Sequence, residues 1–165
     1  MKTRGMTRCA LMAALMAVCA WISVPVGDGA VSMQTFAVFL ALGVLGGRAG
    51  TGACVVYLCL GAVGMPVFTG FRGGAAALLD PTGGFLWGFL ACGLTYWAAE
   101  KLGKLPAMVA GMMVCYVCGS WWFSVYANTD LLSAALVCVV PWLVGDGIKL
   151  ALALSMSERL KKHIK

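Results

Sequence analysis

Apolar residues in this chain run in long unbroken blocks instead of alternating, and the blocks are parted by short glycine-bearing or charged breaks. Six blocks are read, at 7–26, 31–47, 49–67, 83–101, 105–127 and 131–157. A helix that crosses a bilayer needs about 20 apolar residues, with a range of roughly 17–25. The blocks suit that length, the second at the short end and the last long enough to tilt or project past the bilayer. In lipid every backbone polar group must be satisfied within the segment or within a closed barrel. Continuous runs without period-two alternation argue against a barrel, so each block is predicted to be a helix. The first block has a basic front and shares that feature with signal peptides. It is read as a retained helix, because it is long and more spans follow it.

Composition turns this pattern into a class. The chain has 165 residues, 62% hydrophobic and 11% charged, with a mean hydropathy of +0.94. A soluble domain carries about 25% charged residues, and this chain has too few to cover a water-facing surface. The expectation is one all-α integral membrane domain over residues 1–165, with six transmembrane helices.

Charge then orients it. The net charge of +6 could point to nucleic acid, but the basic residues sit at the block ends. Lys2, Arg4 and Arg8 precede the first run, and Arg159, Lys161, Lys162 and Lys165 follow the last. With both termini cytoplasmic, Arg48, Lys101 and Lys104 also fall inside, Arg72 alone falls in an outer loop, and Lys149 lies within a span. That distribution satisfies the positive-inside rule and predicts a multi-pass protein with both termini cytoplasmic. The clusters read as topology signals and headgroup contacts, and no basic face is left for a nucleic acid.

Two connections stand out. Gly46-Gly47-Arg48-Ala49-Gly50 is predicted to be a tight turn, and the stretch from Val67 to Thr82 a long outer connection. Loops of that length are often lids or binding loops; the plain alternative is a passive connector.

Candidate chemistry is sparse. His163 in the tail is the only histidine, no group of histidine, cysteine and carboxylate has metal-ligand spacing, and Gly-x-x-x-x-Gly-Lys-Ser/Thr does not occur. No catalytic residue, metal or cofactor is therefore expected. The eight cysteines lie in or beside apolar runs and read as small buried hydrophobes, Cys115-x-x-Cys118 included. Asp146 and Lys149 are different: they stand three apart inside the last block and share a helix face. Each costs about 2.5–3.5 kcal/mol at a helix centre on insertion scales. They form either an internal ion pair or the polar floor of a ligand site, in which Asp146 accepts from ligand N–H groups and Lys149 donates to a carbonyl or carboxylate. In the first block, Ala10 with Ala14 and Ala13 with Ala17 form small-xxx-small pairs that let another helix approach closely. That helix belongs either to this chain or to another subunit.

Several segments in order resemble the BioY family, the biotin-specific substrate-binding subunits of energy-coupling factor (ECF) transporters. They are Gln34-Thr-Phe-Ala-Val-Phe-Leu-Ala-Leu, Leu45-Gly-Gly-Arg-Ala-Gly, Tyr57-Leu-Cys-Leu-Gly-Ala-Val-Gly-Met-Pro-Val-Phe, Asp80-Pro-Thr-Gly-Gly-Phe-Leu-Trp-Gly-Phe and Gly145-Asp-x-x-Lys149. The resemblance implies a six-helix subunit of the bacterial inner membrane that binds biotin from outside. It also implies partners, namely a transmembrane coupling subunit and two ATPases. It places Asp146 and Lys149 on biotin, and Ala10, Ala13, Ala14 and Ala17 against the coupling subunit. Tyr57, Phe68, Phe85 and Trp142 are candidates for aromatic walls by position, and Gln34 and Asp80 are further polar candidates beside the outer loops. The chain departs from the family in its first outer loop, where Ser23-Val-Pro-Val-Gly-Asp-Gly replaces a proline-rich stretch. Other readings are a binding subunit for another vitamin, a stand-alone carrier driven by an ion gradient, a structural membrane protein and, last, an intramembrane enzyme.

Overall fold

The computed structural model describes residues 3–26 and 29–164; the predicted basic positions Lys2 and Lys165 lie outside them. Among the described residues are eight α-helices and one small hairpin. Their order is α1 (Thr3–Trp21), β1 (Ser23–Val26), β2 (Gly29–Ser32), α2 (Gln34–Leu45), α3 (Gly47–Ala62), α4 (Ala75–Leu79), α5 (Gly83–Ala99), α6 (Lys104–Ala127), α7 (Leu131–Cys138) and α8 (Val140–Ile164). A 3-10 turn, Glu100–Leu102, joins α5 to α6.

Cross-links between elements fix the topology. At one end of the bundle, Cys9 Sγ donates to the Ala49 carbonyl at 3.3 Å, and the Glu100 carboxylate accepts from the Gly47 N–H at 3.1 Å. At the other end, Trp21 Nε1 donates to the Pro66 carbonyl at 2.9 Å, and Trp122 Nε1 donates to the Asp80 carbonyl at 2.9 Å. The chain therefore runs up and down, and the hairpin, the 63–82 connection and the α6–α7 turn gather at the second end.

Several predicted boundaries need correction. The first block was expected to stay helical to Val26, but α1 stops at Trp21 and Ser23–Val26 pairs antiparallel with Gly29–Ser32. Proline has no N–H for a helical bond, so Pro25 suits the strand. That hairpin also takes the first residues of the second block, and Gly46, at φ +82, ends it. What remains is α2, 12 residues long, which reaches only about 18 Å at 1.5 Å per residue against a hydrocarbon core of about 30 Å. Among the described residues α6 is long and apolar enough to cross a membrane alone, and α7 with α8 makes a second such unit bent by 50°. The last block is thus a broken rod, not one helix. The break at Val139 is explained by Pro141, which cannot donate to the Val137 carbonyl. The 67–82 connection is not structureless, since it holds α4 and a bridge between Phe68 and Arg72. The predicted five-residue turn contracts to Gly46, because Glu100 caps the start of α3.

Helix contacts depend on small residues. A Cβ at Gly88 of α5 would lie 2.9 Å from Cys115 Sγ, and one at Gly111 of α6 would lie 2.8 Å from Cys92 Sγ. Glycine at these points lets α5 and α6 pack backbone to backbone, which is how apolar helices associate without a hydrophobic driving force between them. All eight cysteines are free thiols, most of them buried, with Cys59 exposed and Cys118 half-buried.

The small-residue stripe of α1 splits in two. Ala13 and Ala17 are buried in the protein's own bundle, while Ala10 and Ala14 face outward. The two pairs are offset by three positions, about 60° around the helix at 3.6 residues per turn. The expectation that all four face another subunit fails for Ala13 and Ala17, which pack inside this chain's own bundle.

Candidate functional site

In the first three turns of α8, Asp146 and Lys149 are 4% and 8% exposed, and their side chains form an ion pair at 2.9 Å. Three further elements complete the network. From α6, Tyr116 Oη donates to Asp146 Oδ2 at 2.8 Å. From the first turn of α2, Thr35 Oγ1 donates to Asp146 Oδ1 at 3.0 Å. From the end of β2, the Ser32 carbonyl accepts from Lys149 Nζ at 2.7 Å. Lys149 Nζ also donates to Thr35 Oγ1 at 3.3 Å. A buried ion pair persists only when further hydrogen bonds occupy the remaining lone pairs and protons, and each of these contacts does so.

The pair forms part of the wall of a cavity of about 880 Å³, inside the range of roughly 300–1,000 Å³ usual for small-molecule pockets. Phe68, Phe85, Phe89, Phe123 and Trp142 supply aromatic lining, and Thr69, Arg72 and Thr82 supply polar lining. The aromatic rings are held by close packing. A Cβ at Gly61 would fall 1.9 Å from the Phe68 ring, and one at Gly119 would fall 2.3 Å from the Phe85 ring, so each ring lies flat against backbone.

Of the residues named from sequence, Asp146, Lys149, Gln34, Phe68, Phe85 and Trp142 line this cavity, whereas Tyr57 and Asp80 do not. Tyr57 stands behind the wall as a support. Its hydroxyl accepts from Gln34 Nε2 at 2.7 Å and donates to the Val67 carbonyl at 2.9 Å, while its ring meets Phe68 edge-on at 5.5 Å. Gln34 Oε1 in turn accepts from Thr69 Oγ1 at 3.2 Å. The Gln34–Tyr57 couple therefore ties the start of the 63–82 connection to α2 and α3. Asp80 is paired with Arg72, which also reaches Thr82. At the rim, Phe71 stacks on Trp21 with ring centroids 5.0 Å apart.

Sequence reasoning missed Thr35, Tyr116 and Arg72 as site residues. A signal existed for Tyr116, since a tyrosine inside an apolar span needs a partner for its hydroxyl. Thr35 gave no signal, because its role depends on where α8 lies.

The ion pair on the last helix, the tethered 63–82 connection and the Gln-Thr at the start of α2 lie in the order that the resemblance expects. The BioY family model matches residues 1–165. The chain belongs to the BioY family. It is 40% identical over 164 residues, covering 96% of both chains, to a protein of Thermotoga maritima named biotin transporter BioY. It is 37% identical over 163 residues, covering 98% of both, to a probable biotin transporter BioY of Pyrococcus horikoshii. Its fold matches the crystal structure of the S-component for biotin from an ECF-type ABC transporter, with a TM-score of 0.89 and 28% identity over 98% of this chain and 92% of that one. A second S component of a bacterial ECF transporter shares the fold at a TM-score of 0.60 and 13% identity, covering 100% and 99% of the two chains. This BioY protein is thus an all-α integral membrane protein of the S-component fold, and its curated relatives are named transporters, not enzymes.

Proposed function

We propose that this protein captures biotin from the outer side of the membrane and serves as the specificity subunit of an ATP-driven ECF importer. The observation that carries the reading is the buried Asp146–Lys149 pair in the wall of an aromatic-lined cavity. A cyclic urea presents N–H donors beside a carbonyl acceptor, and a carboxylate next to an ammonium is complementary to that edge. Asp146 accepts the ureido N–H, Lys149 donates to the ureido carbonyl, and Phe68, Phe85 and Trp142 flank the apolar ring and chain. With Lys149 committed to the ureido end, Arg72 is the other cation that lines the cavity, and it takes the valerate carboxylate.

Delivery follows from the same reading. Gln34 and Tyr57 hold the connection that covers the site, and its release against the membrane coupling subunit frees biotin inside the cell. Ala10 and Ala14 on the outward face of α1 form the docking stripe for that subunit, and two ATPases drive the cycle. The termini are cytoplasmic, as the basic residues at the block ends favour.

The test is calorimetric titration of biotin into purified, detergent-solubilised protein, beside Lys149→Ala. Binding by the wild type that is lost in the variant supports the reading. Absence of binding by a monodisperse wild type, with binding of a different vitamin in its place, overturns it.

A further inference from the structure

Lys149 and Asp146 are almost fully occupied by the protein itself. An ammonium has three N–H donors, and those of Lys149 go to the Ser32 carbonyl at 2.7 Å, Asp146 Oδ1 at 2.9 Å and Thr35 Oγ1 at 3.3 Å. The carboxylate of Asp146 accepts from Lys149, Thr35 and Tyr116, leaving about one of its four lone-pair sites. A ligand that needs a donor from Lys149 must therefore replace an existing partner. The longest of the three bonds, and so the weakest, is the one to Thr35.

Thr35 has the right chemistry to be that partner. One hydroxyl donates to Asp146 Oδ1 and accepts from Lys149 Nζ, which is the same donor-and-acceptor pair that the –NH–C(=O)– edge of a cyclic urea or amide offers. The side chain also borders open space. Thr35 is half-buried and lines both the large cavity and a small void of about 10 Å³, walled by Val38, Phe39, Phe89, Met112 and Cys115 among others. Withdrawal of the hydroxyl requires a rotation about its first side-chain torsion. Ser32 and Tyr116 lack this dual character, since Ser32 offers only its backbone carbonyl and Tyr116 only donates.

We propose that the Thr35 hydroxyl is a built-in placeholder for the ligand's amide edge. It satisfies the Asp146–Lys149 pair between binding events and withdraws when a urea-type ligand takes both of its bonds. Binding is then an exchange of hydrogen bonds, and Thr35 sets affinity by competing for the site. The inference rests on the biotin reading above and adds a residue that opposes binding.

The experiment measures biotin dissociation constants by calorimetry for wild type, Thr35→Val and Thr35→Ser, with thermal unfolding of each protein with and without biotin. Removal of a competing hydroxyl worth about 0.5–1.5 kcal/mol is expected to make Thr35→Val bind about two- to twelvefold more tightly. Its unfolding temperature without biotin should fall, and its biotin-induced shift should exceed the wild-type shift. Thr35→Ser keeps the hydroxyl and should bind within about twofold of wild type. Weaker or unchanged binding by Thr35→Val, while the wild type binds biotin, overturns the placeholder and leaves the biotin reading standing. No binding by the wild type overturns both. Should Thr35→Val fail to fold, a structure of the wild type with biotin decides: Thr35 Oγ1 still bonded to both Asp146 and Lys149 refutes the exchange, and its withdrawal from Lys149 supports it.

Discussion

Replacement of Asp146 by asparagine tests the site most directly, because the structure sets how much should be lost. Asp146 accepts three hydrogen bonds, at 2.8 Å from Tyr116, 3.0 Å from Thr35 and 2.9 Å from Lys149. Asparagine keeps one acceptor oxygen and turns the other into an N–H₂ donor. With its N–H₂ turned to Lys149 the amide sets donor against donor, and with its N–H₂ turned to Tyr116 the phenol must switch from donating to accepting; in both cases the buried ammonium of Lys149 loses its counter-charge. Breaking a buried pair by removing one partner costs about 3–5 kcal/mol of stability. For the ligand, loss of a hydrogen bond to a charged group, worth about 1.5–3 kcal/mol, lowers affinity by about 10- to 150-fold. Calorimetry with biotin reads the second quantity, and thermal unfolding in the same detergent reads the first. The double variant Asp146→Asn with Lys149→Met separates the two effects, since removal of both charges relieves the stability loss but leaves the urea edge without its partners. If Asp146→Asn bound biotin within about twofold of wild type, the assignment of the ligand to this pair would be refuted. Recovery of binding in the double variant would refute it equally.

Other expectations follow from the packing. Gly61→Ala would drive a methyl into the Phe68 ring, and the resulting overpacking should cost about 1–3 kcal/mol and weaken biotin binding; an unfolding midpoint equal to wild type would refute the packing argument. Tyr57→Phe removes the hydroxyl that joins Gln34 to Val67, so stability should fall by about 1–2 kcal/mol and protease cleavage within 63–74 should quicken; an unchanged cleavage rate would count against the tether. Ala14→Leu should leave the isolated protein as stable as wild type, because Ala14 faces outward, whereas Ala13→Leu should destabilise it, because Ala13 is 1% exposed. Co-purification with the coupling subunit should be lost in Ala14→Leu, and its retention would remove Ala14 from the docking stripe. Asp130 caps α7 by accepting from the Ser133 N–H at 3.1 Å, and hydrogen bonding from Ser133, its side chain first and its backbone next, holds the Asp130 carboxyl below the usual 3.8. A depressed carboxylate pKa stabilises the folded state above the unfolded value, and the benefit is lost as pH falls through the folded one. Protection of the α7 amides, corrected for the intrinsic exchange rate at each pH, should therefore fall below about pH 4 in wild type and show no such step in Asp130→Ala.

Much of this protein was written in its pattern of apolar residues. The unbroken runs and the basic residues at their ends determined that it is a helical membrane protein, because lipid tolerates no unsatisfied backbone and few charges. Asp146 and Lys149 were legible for the same reason, since two charges three apart in an apolar run demand a partner or a purpose. Gln34, Phe68, Phe85 and Trp142 were candidates by position along the chain, and they line the cavity. Helix ends were less legible. Ser23–Val26 continues the first apolar run and Val31 opens the second, so hydropathy alone could not separate strand from helix or show the break at Val139.

Tertiary structure decided what depends on residues far apart in sequence. Thr35 lies 111 positions from Asp146, and Tyr116 lies 30 away, and no local pattern marks either as a partner of that carboxylate. Asp80 and Tyr57 looked like ligand contacts from their place beside the outer connection, but the fold turned one to Arg72 and the other to the backbone of Val67. The alanine stripe of α1 could be read as one surface until packing set its rotation, which buried Ala13 and Ala17 and left Ala10 and Ala14 outside. Periodicity fixes which residues share a face of a helix, but only the neighbouring helices decide where that face points.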